Sequence, residues 1–484
     1  MCIRDRFGKA AVLTERLMEK GKTIQLIQYP QAEQDLAVAG ASILARAEFL
    51  RQIDLISRRY RIKLPRGDTN PYSVFDINGE EIPSQIIQKG KYRREIIFVA
   101  DNVPSMGYKT VVLRKQKPSA KNVNLAVSDS SLENKFFRVT IDPDSGWVKS
   151  IIDKRNGKEI LTGYGNRLQL LEDKPTAWDA WNIGLTGVEY PSRFRKCELV
   201  ERGPVRVVLR ITRDFLKPGV KKMFPTEDFP TSFFTQDIIL TDKIDRIDFK
   251  TDVDWWENKT MLKVAFPVAV FDTVATYEIP YSFIQRSTTL KRKLDRGKWE
   301  VPALRWADIS EKDWGVSLLN NSKYGYDIKG NVMRLSLLRS PKWPDPTADR
   351  GDHTIEYALY PHTGNWKQSK TVQRGYEFNN PLVTIITGVH KGKLPKSYSF
   401  VKLKPENLIL TVVKKAEDSP DAWIFQWYDS KGKDTQAVLT LPISPSKVFM
   451  SNFLEEEKTP IIPERNVVKV NTGKNKIITI KVYF

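Results

Sequence analysis

Apolar and polar positions along this chain follow two different periods. Between residues 8 and 60, Ile43, Ala47 and Leu50, with Asp54 next in the series, recur at three- and four-residue spacing over an Ala-rich run. That spacing predicts a helix at about 40–58, preceded by a shorter one over 10–20. The first of these opens without a clear start signal, so the gene product is expected to begin further upstream, with Met1–Arg6 foreign to it. From Tyr60 onward the period falls to two. Short alternating runs such as Glu95-Ile96-Ile97-Phe98-Val99 are broken by Pro, Gly, Asn and Asp, which is strand-and-turn patterning. Strands are predicted at 136–141, 167–171, 205–211, 234–240, 247–253 and 262–268, and later at 408–413, 423–428, 436–441 and 476–482. Almost nothing between them reads as a crossover helix, so the sheets should be antiparallel and packed face to face. The clearest local element is a hairpin: Asp142-Pro143-Asp144-Ser145-Gly146 separates two alternating runs, 137–141 and 147–153, with the residues a tight turn needs.

Composition breaks at Lys117-Pro118-Ser119-Ala120 and in the Lys-Gly-Lys-Leu-Pro-Lys run at 391–396. The expected organisation is a helical segment over 1–60, a small β domain over 61–118, a large β domain over 119–394 and a C-terminal β-sandwich over 395–484. A length of 484 residues exceeds what one core supports, and 40% hydrophobic with 28% charged residues is an ordinary globular composition. The net charge of +20 raises the question of a polyanionic partner. The basic runs, such as Lys291-Arg292-Lys293 and Lys221-Lys222, are short and scattered, and no nucleic-acid-binding pattern accompanies them. Nucleic acid is therefore not an expected partner. Two cysteines, Cys2 and Cys197, cannot form a disulfide framework, so a reducing, cytoplasmic setting is expected. No apolar run approaches the ~20 residues of a membrane span, so no membrane partner is expected either.

The usual catalytic devices are absent from the sequence. Only three histidines occur, His353, His362 and His390, and none stands in a spacing that sets two ligands on one metal. His353 and His362 flank a strand and read as interior or turn residues. No nucleophile elbow, P-loop or dinucleotide fingerprint occurs. Carboxylates remain, because glycoside cleavage commonly uses a pair of them. Two segments crowd acids, amides and tryptophans outside obvious strands: Glu172-Asp173-Lys174-Pro175-Thr176-Ala177-Trp178-Asp179-Ala180-Trp181-Asn182, and the run from Leu338 to His353 that contains Arg339, Trp343, Asp345 and Asp349. Aromatic platforms beside Asp, Asn and Arg suit sugars, which present apolar C–H faces and rings of hydroxyls. The same residues also suit a rigid inter-domain loop whose tryptophans fill gaps and whose acids cap turns. A third cluster, Asp252-Val253-Asp254-Trp255-Trp256-Glu257, reads as a half-buried strand.

Taken with their surroundings, these segments resemble the C-terminal region of glycoside hydrolase family 38 α-mannosidases. The resemblance runs through Leu132-Glu133-Asn134-Lys135-Phe136-Phe137, Asn166-Arg167-Leu168-Gln169-Leu170-Leu171, Trp178-Asp179-Ala180-Trp181 and Ala275-Thr276-Tyr277-Glu278-Ile279-Pro280. It is densest at Leu319-Asn320-Asn321-Ser322-Lys323-Tyr324-Gly325-Tyr326-Asp327, and it reaches the last domain at Leu410-Thr411-Val412-Val413-Lys414-Lys415-Ala416-Glu417-Asp418. It implies a mainly β fold: a galactose-mutarotase-like supersandwich plus smaller β-sandwich domains, after a short helical N-terminal segment. It also implies retaining hydrolysis of α-mannosides with an aspartate nucleophile and a divalent metal, usually zinc, carried by an N-terminal barrel and helical bundle. None of that family's nucleophile or metal motifs is found here. The chain is therefore expected to hold no catalytic residue and no metal, to be inactive alone, and to need a catalytic domain as partner for an oligosaccharide α-mannoside. By the same resemblance, residues 8–58 are expected to be a remnant or replacement of the bundle. By the resemblance, Asp179, Arg339, Asp345 and Asp349 are polar contacts to substrate or to the catalytic domain, and Trp178, Trp181 and Trp343 are walls. Two other readings stay open: a stand-alone carbohydrate-binding or scaffold protein, and a two-carboxylate glycosidase built on the supersandwich. Homo-oligomerisation also stays open.

Overall fold

The computed structural model describes residues 71–88, 94–119, 124–218, 230–289, 291, 297–389 and 392–484. The helices expected within 1–60 lie outside them. The chain divides into two compact units. One comprises Pro71–Gln88, Arg94–Leu382 and Leu394–Phe484, and the other comprises Met1–Asn70, Lys89–Arg93 and Val383–Lys393.

The first unit is β, as the period-two patterning requires. Its predicted hairpin forms: Phe137–Ile141 pairs antiparallel with Val148–Asp153. In the turn, the Asp142 carboxylate accepts from the Ser145 N–H and hydroxyl, and Gly146 takes φ +69, a conformation that favours glycine.

Fifteen strands then build the large domain. In chain order they are β1 (Arg167–Asp173), β2 (Leu185–Tyr190), β3 (Arg193–Arg202), β4 (Arg206–Phe215), β5 (Ser232–Thr241), β6 (Ile247–Trp255), β7 (Thr260–Pro267), β8 (Val274–Ile279), β9 (Ser282–Ser287), β10 (Val301–Pro302), β11 (Trp306–Ser310), β12 (Trp314–Asn320), β13 (Gly325–Lys329), β14 (Val332–Leu338) and β15 (Gly351–Thr363). One sheet has nine strands in the order β3-β4-β5-β6-β15-β12-β11-β8-β9, and the other has six in the order β2-β1-β7-β14-β13-β10. All pairings are antiparallel.

Strand β6 shows why these sequences make a sandwich. Ile247, Phe249, Thr251, Val253 and Trp255 are buried, while Asp248, Lys250, Asp252 and Asp254 between them are not. Alternation of this kind puts one face on the core and one toward water. Strand β7 is instead buried along nearly its whole length, and its one cation is neutralised: Lys263 Nζ lies 2.6 Å from Asp327 and 2.8 Å from Glu300. A single apolar core joins side chains of both sheets, among them Leu209, Phe249, Trp255, Phe266 and Leu335.

One helix, α1 (Thr371–Asn379), was not expected from the pattern. It covers Trp306 and Trp366 together with Val372 and Tyr376. A Cβ at Gly375 would stand 3.0 Å from the Trp306 ring, so glycine sets how closely the helix approaches. Beyond it, Phe425, Trp427, Leu439, Val468 and Ile480 form a second core between a five-stranded and a three-stranded sheet. Towards the N-terminus, Gly107–Lys109 pairs with Ser397–Ser399, tying the small β region to the strand that leads into this last sandwich. Among the described residues no helix is long and apolar enough to cross a membrane.

Candidate functional site

Strand register decides which loops meet. Asp173 at the end of β1 faces Leu185 at the start of β2, and Glu172 faces Thr260 at the start of β7. Leu262 faces Leu338 at the end of β14, and Trp255 at the end of β6 faces Gly351 at the start of β15. The β1–β2, β6–β7 and β14–β15 connections therefore emerge at one end of the sandwich, and the last two carry the chain from one sheet to the other. Both segments singled out in the sequence lie here.

The three tryptophans converge. Ring centroids of Trp178 and Trp343 are 4.8 Å apart, those of Trp181 and Trp343 5.5 Å, and those of Trp178 and Trp181 6.1 Å. These are edge-on and tilted arrangements of the kind aromatic quadrupoles favour. All three remain open to solvent, at 59%, 66% and 47% exposure for Trp178, Trp181 and Trp343.

The polar residues hold the loops that carry them. The Arg339 guanidinium pairs with Asp173 at 2.9 Å and donates to the carbonyls of Ala180 at 3.1 Å, Asp179 at 2.7 Å and Asn182. One side chain of β14–β15 thus clamps the β1–β2 loop from beneath, and the Ala180 N–H donates back to the Trp343 carbonyl. Asp349 accepts the backbone N–H groups of Arg339 and Ser340, at 3.0 and 2.9 Å. Asp179 accepts from the Lys342 N–H at 3.3 Å, with Lys259 Nζ 3.9 Å away. Asp345 accepts from the N–H and hydroxyl of Thr347, and the Thr347 N–H first of all holds its pKa below the ordinary carboxylate value. The seven residues chosen from the sequence therefore occupy one end of the molecule, with the rings outward and the charges largely turned to the backbone.

Some neighbours named in the sequence clusters were not among the chosen site residues. Trp256 is exposed and donates from its indole to Asp254 at 2.6 Å, whereas the adjacent Trp255 is buried and donates to Ser340. The signal was the parity of β6, which points Trp255 inward and releases Trp256 into the turn. Glu172 accepts from Tyr190 at 2.6 Å and Thr186 at 2.9 Å. Lys174, ahead of those two hydroxyls, holds its pKa down at about 2.

The described residues do not fit the metal that the resemblance implies. Among them no three His, Cys, Asp or Glu side chains cluster as a ligand set. His353 is committed to the Asp349 carbonyl, and His362 is buried between Asp308 and the Gly364 carbonyl.

Comparison with known proteins agrees with this architecture. Residues 132–347 match the family described as glycosyl hydrolases family 38 C-terminal domain, and residues 407–480 match the glycosyl hydrolases family 38 C-terminal beta sandwich domain. Alpha-mannosidase G of Dictyostelium discoideum is 32% identical over 375 residues, covering 74% of this chain and 33% of that protein. The crystal structure of an alpha-mannosidase from Enterococcus faecalis V583 superimposes with a TM-score of 0.70 at 17% identity, covering 89% of this chain and 52% of that one. The chain thus spans about a third of the curated relative it matches. A separate similarity reaches 44% identity over 90 residues of Ribonuclease HIII from Chlamydia abortus, covering 17% of this chain and 30% of that protein.

Proposed function

We propose, from the premise that the chain belongs to glycoside hydrolase family 38 by its C-terminal domains, that it is the β-rich part of an α-mannosidase acting on oligosaccharide α-mannosides. In this reading the bond-breaking groups and the divalent metal, zinc or a close substitute, reside in a catalytic partner domain, and this chain supports that domain and walls the sugar site. The observation that carries it is the exposed trio Trp178, Trp181 and Trp343 on a loop pair clamped by Arg339. Rings held open at fixed angles offer flat apolar faces to sugar C–H groups. Arg339 and Asp349 act by fixing the loops, and Asp179 and Asp345, on the same loops, are the acids placed to meet sugar hydroxyls or the partner domain. The two cysteines favour a reducing compartment, which we take to be the cytoplasm.

Activity measurements test this division of labour. The chain alone should leave an aryl α-mannoside uncut at any zinc or cobalt concentration, and should support turnover once joined to a family 38 catalytic portion. Robust turnover by the chain alone would overturn the reading.

A second reading, a carbohydrate-binding module without catalysis, is favoured by the ribonuclease likeness. The matched 17% of 484 residues is about 82 residues. Residues 348–406, between the two matched domains, are too few to hold it, so outside those domains it fits only ahead of residue 132. We propose that this stretch is foreign to the mannosidase portion rather than a remnant of its helical bundle. Amplifying source DNA across the junction tests that. A continuous product supports a genuine fusion without an adjoining mannosidase catalytic half. Separate ribonuclease and mannosidase genes would return the chain to the first reading.

A further inference from the structure

The run from Asp252 to Glu257 carries an exposed indole outside the tryptophan trio. Trp256, in the β6–β7 turn, is 53% exposed and donates its N–H to Asp254 at 2.6 Å, so the ring is held while much of its surface stays free. Strand register sets the exposed Asp352 directly opposite Asp254, and residues paired in this way share one face of a sheet. Lys250 on the same strand is committed to Asp252 at 2.7 Å, and among the described residues no ion pair reaches Asp254 or Asp352. Like charges facing each other across strands are unfavourable, and a ligand that donates hydrogen bonds to both relieves them. On the other side of the turn Arg350 donates to the Asn258 side-chain carbonyl at 2.9 Å, so an amide and a guanidinium stand beside the ring and the two acids.

We propose that Trp256, with Asp254 and Asp352, forms a second sugar subsite, so that this end of the molecule takes an oligosaccharide rather than a single mannose. The choice of a mannoside rests on the α-mannosidase reading above. The flat indole suits the apolar C–H face of a pyranose ring, and the carboxylates accept from its hydroxyls. The turn is fastened to the loops that carry the trio. The Lys259 N–H donates to the Ser340 carbonyl at 2.9 Å, and the Lys259 carbonyl accepts from the Asp173 N–H at 3.0 Å. Ser340 and Asp173 are the residues that Asp349 and Arg339 hold. The chain from Lys259 back to Trp256 reaches at most ~10 Å, so both platforms belong to one end. Their rings do not touch: Trp178, Trp181 and Trp343 contact one another, and among the described residues none of them contacts Trp256. A sugar stacked on the trio thus leaves Trp256 for another further along the same saccharide.

Calorimetric titration of the full chain with methyl α-mannoside and with a linear α-mannotetraose tests this. The parent should bind the tetraose about three- to tenfold more tightly, the worth of one further aromatic contact. Trp256→Ala should erase that gain. Because the ring is exposed, the melting temperature of the variant should match that of the parent chain. Trp256→Phe keeps a ring face and should retain most of the gain. Absence of binding, a parent that shows no gain with length, or a gain that survives Trp256→Ala overturns the proposal. Equal fractional losses for both sugars in Trp256→Ala, or a Phe variant no better than the Ala variant, also overturn it. Mannoside turnover by the chain joined to a family 38 catalytic portion separates the two claims. Turnover with a length gain indifferent to Trp256 removes the subsite and leaves the mannosidase reading standing. A Trp256-dependent gain without turnover does the reverse.

Discussion

Two tryptophan clusters in this protein have similar internal geometry and opposite surroundings. Beneath α1, Trp366 lies 5.3 Å from Trp306 and 4.5 Å from Phe283, centroid to centroid, with Trp306 and Trp366 sealed from water. At the loop end of the sandwich, Trp178, Trp181 and Trp343 sit equally close and stay open. The first cluster stabilises the fold through the apolar area it removes from water. The second gains little that way. It is held by polar work instead, through Arg339 on Asp173 and three carbonyls and through Asp349 on two N–H groups. The contrast teaches that ring contacts alone do not mark a core: what matters is which interactions fix the rings, and whether a face is left over.

The comparison can be broken most directly at its buried half. Trp306→Ala should cost about 3 kcal/mol in urea unfolding, near the lower end for a buried tryptophan, because the variant also removes an indole N–H that is buried without an acceptor. A loss below about 1 kcal/mol would mean that the α1 cluster is no core.

Next in size is the clamp. Arg339→Ala should cost about 2 kcal/mol, since Asp173 keeps its Gly184 N–H donor but loses the cation beside a nearly buried carboxylate. Tryptophan emission should shift as the loop loosens, whereas a variant with unchanged emission would show that the clamp does not order the rings.

Smaller still in stability, Trp343→Ala should change unfolding by less than about 1 kcal/mol, as an exposed ring does. In an assembled enzyme it should raise KM for an oligomannoside about three- to tenfold, the worth of one aromatic contact. Equal losses of stability in Trp343→Ala and Trp306→Ala would erase the contrast.

The finest effect is acid sensitivity beside the loops. The folded pKa of Glu172 is held at about 2, below its ordinary 4.5, so its contribution is fully present above the unfolded value and is lost as pH falls from 4.5 toward 2. Parent and Glu172→Gln melting temperatures should therefore draw together over that interval. A gap constant with pH would show that the Lys174, Tyr190 and Thr186 partners do not hold the carboxylate charged.

Much of this organisation was legible in the residues because short-range rules governed it. Asp142 to Gly146 announces its turn, and the alternation in Ile247 to Trp255 announces a face in and a face out, so both formed as expected. The helix at Thr371–Asn379 was not legible. It has no acidic residue in its first turn and no side-chain cap, and it exists because Trp306 and Trp366 need a cover. Asp349 and Arg339 were legible as members of a loop cluster but not as backbone anchors, since their partners lie on other segments or in a turn whose shape the sequence does not state.

The sequence by itself determined the β class, the strand periods and the resemblance to family 38, since each depends on residues close along the chain or on their order. Only the tertiary structure decided that three tryptophans up to 165 positions apart share one surface, and that Arg339 reaches Asp173 and the carbonyls of the β1–β2 loop. Those outcomes depend on how distant strands register against one another, and register is set by the packing of the whole sheet pair rather than by any local run.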